Sequence, residues 1–152
     1  LVRSRGLGDV YKRQEPDIAY AHLFSYFRGE EWRTQKETQR LLDKYFTTKP
    51  NGIPGNDDTG TMSAWAIFNM IGFYPDCPGL PEYTLTTPVF NKVTIRLDPK
   101  WYKEKELVIE SNRTQPGTLY INKVLLNGKK FNQYRITHDE LVHSQRILFD
   151  LK

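Results

Sequence analysis

Two adjacent carboxylates in a glycine- and proline-rich segment are the side chains best suited to chemistry in this sequence. Asp57 and Asp58 lie within residues 51–65, just before an apolar pattern with helical spacing. Neighbouring aspartates repel each other, so a fold that holds them together usually supplies a metal ion, a cationic partner or a shared proton. The pair therefore predicts a loop that presents polar side chains for function.

A structural explanation competes with this functional one. Asp58 or Thr59 could be a plain N-cap of the following helix, because short polar side chains there accept hydrogen bonds from exposed backbone amides. Gly52, Gly55 and Gly60 permit backbone angles that other residues disfavour. For a single aspartate the cap is the simpler explanation, whereas the whole block Gly-Asn-Asp-Asp-x-Gly favours a functional loop.

The helical half of the sequence also offers oxygen ligands and aromatic rings. Oxygen ligands suit a hard cation such as calcium, and the sequence has no Cys/His metal cluster. Carboxylates beside exposed tryptophans are typical of a sugar site, because indole stacks on the apolar face of a sugar ring. The candidate side chains are Glu15, Asp17, Tyr26, Glu30, Glu31, Trp32, Asn56, Asp57, Asp58 and Trp65. By its pattern alone, His22 is better explained as a hydrogen-bonded core residue than as a ligand.

Composition and charge exclude two classes of partner. The 152-residue chain contains no apolar run that approaches the roughly 18 residues of a membrane-spanning helix. Its net charge of +4 is concentrated in residues 1–14, which carry +3, and the remainder holds 18 basic and 17 acidic residues. We therefore expect no membrane span and no nucleic-acid partner, since no basic stripe remains to neutralise phosphates.

The sequence divides into a leader, a helical part and a β-rich part. Residues 1–14 look like translated adapter sequence rather than a signal peptide, because they have neither an apolar core nor an initiating Met. Residues 15–75 show helical spacing, and Thr34-x-x-Glu37 has the form of a capping box. The three predicted helices cover residues 15–28, 34–46 and 62–71, the last of them stopping at Gly72.

In residues 76–152 apolar side chains recur at every second residue, which predicts an antiparallel β-sheet or half-sandwich. A change of phase near Asn122 indicates a β-bulge. Asn127-Gly128 predicts a tight hairpin between residues 124–126 and 129–131. The predicted fold class is therefore α+β.

A series of motifs occurs in order along residues 15–152. They are Glu15-Pro16-Asp17, Tyr20-Ala21-His22-Leu23-Phe24-Ser25-Tyr26, Trp32-Arg33-Thr34-Gln35, residues 54–65, Gly72-Phe73-Tyr74-Pro75, Pro88-Val89-Phe90, Leu126-Asn127-Gly128-Lys129 and Ile136-Thr137-His138. Together they resemble the C-terminal part of glycoside hydrolase family 92. The resemblance implies that residues 15–72 are the last helices of an (α/α)6 toroid, followed by β-strands. It also implies a calcium-dependent, exo-acting α-mannosidase that inverts the anomeric centre.

The resemblance further implies roles for individual residues. Asp57 or Asp58 would be the general base, and the other aspartate would help to hold the attacking water. Glu15 and Asn56 would lie at the calcium site. The substrate would be a mannose-containing glycan, such as an N-glycan or yeast mannan, with an α-1,2 linkage. The residues implied in substrate contact are His22, Trp32, Arg33 and Trp65.

The sequence departs from the family pattern at several points. Arg13-Gln14 stands where Gly-Asn is usual, Thr61 stands where a Gln is usual, and Arg33 replaces a common Lys. The last change keeps the charge but alters the hydrogen-bond geometry. The general-acid glutamate of the family lies upstream of these residues, and neither Glu30 nor Glu31 is assigned that role.

Because the family's general-acid glutamate lies upstream, we predict that the isolated fragment has negligible hydrolase activity. The upstream part of the same polypeptide is then the expected partner, and the parent protein is expected to be secreted, periplasmic or on the cell surface. One alternative is left open. The chain could be a non-catalytic carbohydrate-binding or packing module in which the aspartate pair binds a structural calcium.

Overall fold

The computed structural model describes residues 18–152, so the predicted leader and the start of the first predicted helix lie outside the described residues. Three helices come first along the described residues, and two β-sheets with one short helix follow, which confirms the α+β fold class. The elements are a 3-10 helix (Tyr20–Tyr26), α1 (Glu31–Tyr45), α2 (Thr61–Ile71), β1 (Phe73–Tyr74), β2 (Glu82–Leu85), β3 (Lys92–Arg96), β4 (Glu106–Arg113), β5 (Ile121–Leu126), β6 (Lys129–Phe131), β7 (Arg135–Thr137), α3 (His138–Val142) and β8 (Arg146–Leu151).

The first two helices differ from their predictions. The first is a seven-residue 3-10 helix, and α1 begins at Glu31, ahead of Thr34. The Thr34 side chain is only 1% exposed and lies inside α1, so Thr34-x-x-Glu37 is not a capping box. Burial against the core outweighs the local preference of threonine for a helix start. Within residues 18–152, none of the helices is long and apolar enough to cross a membrane.

The third helical prediction is confirmed by α2. The helix covers Thr61–Ile71, and Gly72 follows with a φ of +119°, a conformation that commonly ends helices. The short helix α3 is a feature that the apolar spacing does not predict. It begins with a capping box in which the side chains of Thr137 and Glu140 accept hydrogen bonds from each other's backbone amides.

The β-rich part forms a three-stranded sheet, in the order β1-β2-β7, and a five-stranded sheet, in the order β3-β4-β8-β5-β6. Asn127 and Gly128 have φ angles of +48° and +81° and join β5 to β6, which confirms the predicted hairpin. The register of β5 against β8 shifts after Ile121, which confirms the bulge near Asn122. Most pairs are antiparallel, but β4 and β8 pair in parallel.

Helix α2 lies between two hydrophobic clusters. Trp65 belongs to the cluster that α2 shares with the 3-10 helix and α1, whereas Phe149 belongs to the cluster between the sheets. Phe68 packs against both clusters. Because α2 is held from both sides, the loop of residues 51–60 that leads into it is attached to a rigid support.

The junction between α2 and the sheets gives a stability prediction at Gly72. A Cβ atom there would lie 2.8 Å from Pro88 Cγ and 3.4 Å from Phe149 Cζ, in a backbone with φ of +119°. We expect Gly72→Ala to lower the free energy of unfolding by about 2–4 kcal/mol, because overpacking adds to backbone strain. Gly29→Ala is the matched control, since Gly29 has a φ of +88° and no heavy atom within 4 Å of the added Cβ. For Gly29→Ala, urea denaturation should show that the free energy of unfolding falls by only about 1–2 kcal/mol. Equal losses in Gly29→Ala and Gly72→Ala would contradict the overpacking argument.

Candidate functional site

The turn that presents the aspartates has an unusual backbone. Asp58, Thr59 and Gly60 have φ angles of +48°, +61° and +92°, so three consecutive residues are left-handed. This region costs a β-branched residue such as threonine more than it costs glycine. The Thr61 side chain supports the turn, because its hydroxyl donates to the Asp58 carbonyl at 2.7 Å. Strained backbone of this kind persists only where the surroundings hold it, and it concentrates at functional sites.

Asp57 is held by one residue of α2. The Ser63 amide donates to Asp57 Oδ1 at 2.8 Å, and the Ser63 hydroxyl lies 2.9 Å from both carboxylate oxygens. The aspartate that caps the helix is therefore Asp57, whereas the sequence suggested Asp58 or Thr59. The N-cap position itself is occupied by Gly60, which has no side chain that could accept a hydrogen bond from the helix.

Asp58 is bound more loosely. Among residues 18–152, the only side chain that donates to its carboxylate is Asn56, whose Nδ2 bonds to Oδ1. The Oδ2 atom thus remains open as a hydrogen-bond acceptor, and Asp58 is half-buried while Asn56 is exposed. Although the two aspartates are neighbours in sequence, Asp57 faces two donors of Ser63, whereas Asp58 accepts from Asn56 alone among residues 18–152 and has one oxygen that none of their donors reaches.

The oxygen atoms of this loop match the ligand chemistry of calcium but do not complete a site. Calcium takes roughly six to eight oxygen ligands. Asn56 Oδ1 and Asp58 Oδ2 are of the right type, but the described residues contain no group of three His, Cys, Asp or Glu side chains that could hold a metal ion. Glu15, the other predicted ligand, lies outside the described residues. The described residues alone therefore do not form a calcium site, and the calcium site stays a prediction.

Two residues predicted to contact substrate lie in the core. Trp65 has no exposed surface, its indole nitrogen donates to the Ile18 carbonyl at 3.1 Å, and its ring stacks on Phe46 at 5.5 Å. His22 is equally buried, stacks on Tyr74 at 4.5 Å and places Nε2 3.0 Å from the Oδ1 atom of an α2 asparagine, Asn69. In this arrangement both side chains fix the 3-10 helix against α2. Direct contact with a sugar would require a change in this packing.

Trp32 and Arg33 lie at the start of α1 with their side chains at the surface. Trp32 is 42% exposed, and the Arg33 guanidinium lies 5.4 Å from the centre of its ring. Arg33 also pairs with Glu30, with 2.6 Å between Nε and Oε2. Among residues 18–152, no hydrogen bond or ring contact joins either side chain to the aspartate loop. The structure therefore brings Trp32 and Arg33 together but does not connect them directly to Asp57 and Asp58.

Two clefts adjoin the predicted residues, and the sequence patterns indicate neither. The first, of about 380 Å³, runs between α1 and the five-stranded sheet, where the Trp32 ring meets the edge of Tyr120 at 6.3 Å. Its lining residues are Trp32, Gln35, Tyr120, Ile121, Tyr134 and Lys152. The second, of about 560 Å³, extends from the end of α1 to Gly55, next to Asn56, and two lysines contribute to it. Both clefts are formed by residues far apart in sequence, which spacing rules cannot pair.

A charged cluster around Arg135 joins the helical part to the three-stranded sheet. Arg135 Nη1 lies 3.2 Å from Asp76 Oδ2, and its guanidinium lies 4.3 Å from the centre of the Tyr26 ring. Burial raises the pKa of the Asp76 carboxyl, but hydrogen bonds from Thr84, Tyr26 and Arg135, with the charge of Arg135, outweigh it and hold the pKa below its usual value. Burial and the nearby Asp76 charge raise the pKa of Tyr74 to about 12. The cluster is a structural junction that no local motif indicates.

Known proteins resemble this chain in sequence and in fold. The family model described as "Glycosyl hydrolase family 92 catalytic domain" matches residues 3–152. A family GH92 α-mannosidase from Bacteroides thetaiotaomicron, solved in complex with mannoimidazole, is 31% identical with a TM-score of 0.83, over 92% of this chain and 18% of that chain. A structure described as a family GH92 inverting mannosidase from the same organism is 33% identical with a TM-score of 0.80, over 93% of this chain and 19% of that chain.

A curated relative gives a consistent result. A protein of Arthroderma benhamiae described as a secreted glycosidase is 28% identical over 130 residues, which are 86% of this chain and 16% of that protein. The chain thus spans between 16% and 19% of the length of these three relatives. The family match also includes most of residues 1–14, whose non-native origin stays a prediction.

Proposed function

Because the chain belongs to glycosyl hydrolase family 92, we propose that it is the C-terminal part of the catalytic domain of an exo-acting α-mannosidase that inverts the anomeric centre. Two similar structures support the activity, since one is described as an α-mannosidase and the other as an inverting mannosidase. The remaining catalytic groups belong to the longer polypeptide that such relatives have. The part of that polypeptide upstream of these residues is the partner of this chain.

The observation that supports this role most directly is the difference between the two aspartates. The amide and hydroxyl of Ser63 hold Asp57 against α2, whereas Asp58 is oriented by Asn56 and keeps one oxygen open. Asp58 is therefore the general base. It takes a proton from water as the water oxygen bonds to the anomeric carbon and the glycosidic bond breaks.

The leaving oxygen must receive a proton from an acid on the opposite side of the sugar, roughly 6.5–9.5 Å from the base. Glu30 is paired with Arg33, and Glu31 accepts a hydrogen bond from the Gly29 amide at 2.8 Å, so both carboxylates are engaged at the start of α1. Neither is assigned as the acid. The acid belongs to the upstream polypeptide, and the isolated chain should hydrolyse nothing.

The proposal also assigns residues to the substrate and to calcium. The exposed ring of Trp32 and the guanidinium of Arg33 offer a stacking surface and hydrogen-bond donors to the terminal mannose of an N-glycan or mannan, with an α-1,2 linkage. Asn56 and Glu15 would hold calcium, which when bound supplies a positive charge that orients sugar hydroxyls. By analogy with the secreted relative, we place the enzyme outside the cytoplasm, in the medium, the periplasm or on the cell surface.

The test compares the full-length enzyme that contains these residues with the isolated 152-residue chain, using α-1,2-linked mannobiose and proton NMR to identify the first anomer released. The full-length enzyme should release β-mannose, lose activity with a chelator and regain it with calcium. The isolated chain should release none. A full-length protein that binds mannan in a calcium-dependent way without hydrolysing it would instead establish the non-catalytic module.

A further inference from the structure

Ser63 lies in the first turn of α2, and the proposed function gives it no role in catalysis. Its backbone amide and its hydroxyl both point at Asp57, at 2.8 Å and 2.9 Å from Oδ1. The hydroxyl is also 2.9 Å from Oδ2, so the whole carboxylate of Asp57 faces one serine six residues further along the chain. Ser63 is half-buried, and α2, which carries it, packs into both hydrophobic clusters. The residue that holds Asp57 is therefore attached to the core.

The position of Asp57 determines the position of its neighbour. Asp58 and Thr59 are left-handed, a conformation that is unfavourable for residues other than glycine and persists only where the surrounding structure holds it. Two side-chain bonds support the turn. The Ser63 hydroxyl holds Asp57 before the turn, and the Thr61 hydroxyl holds the Asp58 carbonyl within it. When the Ser63 hydroxyl is lost, the bond from the Ser63 amide to Asp57 Oδ1 at 2.8 Å and the bond from the Met62 amide to the Asp57 carbonyl at 3.2 Å remain. The turn then loses one of its supports, and we expect a small shift that carries the Asp58 carboxylate with it.

We infer that Ser63 is a positioning residue for catalysis: by holding the Asp57 carboxylate, it keeps the left-handed turn in place and aims the open oxygen of Asp58 at the attacking water. This inference rests on the proposed function, in which Asp58 is the base. In this role Ser63 acts on catalysis through Asp57 and not by binding the sugar. Its effect should therefore appear in turnover and not in substrate affinity.

The experiment measures kcat and KM of the full-length enzyme carrying Ser63→Ala. We expect kcat to fall about 10-fold, because a small misplacement of a reacting group costs one to two orders of magnitude, while KM stays within about twofold. The backbone amide bond to Asp57 survives this change, which is why the loss is smaller than that of removing the base. Ser63→Thr keeps the hydroxyl and should restore kcat to within about threefold of the parent.

Ser144→Ala is the matched control, because the Ser144 hydroxyl also donates a partly buried hydrogen bond, to the Glu140 carbonyl at 2.7 Å, but in the β-rich part. It should cost comparable thermal stability and leave kcat unchanged. If Ser63→Ala does not fold, Ser63→Cys, which keeps the side-chain size with a weaker donor, should show the same loss of kcat. Full kcat in Ser63→Ala together with an inactive Asp58→Asn would overturn the positioning role alone. An active Asp58→Asn would overturn the proposed base and this inference with it.

Discussion

Replacing Asp58 with asparagine is expected to lower kcat of the full-length enzyme by about 1,000-fold, whereas Asp57→Asn should cost only about 10-fold. Asparagine at position 58 cannot take a proton from water. At position 57 an asparagine Oδ1 can still accept from the Ser63 amide, so the turn keeps one of its supports. Steady-state kinetics of the two variants with the same mannoside measures the difference.

Both substitutions preserve size, and asparagine tolerates left-handed backbone, so neither should unfold the loop. Thermal unfolding serves as the control, and melting temperatures close to that of the parent enzyme are expected for Asp58→Asn. A larger loss of kcat in Asp57→Asn than in Asp58→Asn would reverse the two roles. Normal turnover in the double variant would remove the loop from the mechanism altogether.

The features predicted correctly from sequence depend on interactions within a few residues. Gly72 ends α2 and Asn127-Gly128 turns the hairpin because these residues adopt positive φ angles more easily than most others do. The bulge near Asn122 follows from a change in apolar phase on one strand. Such preferences act before any tertiary contact forms, so the local sequence is enough to indicate them.

The features missed depend on distant partners. The Thr34-x-x-Glu37 sequence has the local form of a helix start, but Thr34 faces a core built from other elements and lies inside α1. The parallel pairing of β4 with β8 sets Ile109 opposite Ile147, and nothing in either strand alone indicates that direction. Tertiary packing decides both cases.

In the candidate site, too, the local features could be predicted from sequence and the features that depend on folding could not. The block of residues 55–60 could be recognised from its composition, and Asp57 and Asp58 were equivalent at that level. What separates them is the bond from Ser63, which depends on how the loop folds back onto α2. The aromatic pattern around Trp65 is compatible with a sugar platform or a core residue, and only the packing against Phe46 shows its burial.

The second prediction with a large effect concerns Arg135, where Arg135→Met is expected to lower the free energy of unfolding by about 3–5 kcal/mol. The substitution leaves Asp76, whose side chain is 2% exposed, as a buried charge without its cationic partner. Urea denaturation of the 152-residue chain at pH 7 measures the loss. Arg96→Met is the matched control, because Arg96 is 90% exposed and lies 4.0 Å from Glu106. It should cost less than about 1 kcal/mol.

The pH dependence of the loss identifies its cause. In the parent chain the pKa of Asp76 is held below its usual 3.8, so the stability it contributes is present above about pH 4 and is lost as the pH falls through the lowered folded-state pKa. In Arg135→Met, burial acts on Asp76 without the arginine, so its folded-state pKa rises and protonation below neutral pH favours the folded form. The stability difference between parent and variant should therefore narrow steadily on acidification, and adding Asp76→Asn to Arg135→Met should recover part of the loss at pH 7. A difference that stays constant from pH 7 to pH 4 would show that Arg135 stabilises the junction through packing against Tyr26 and not through its charge.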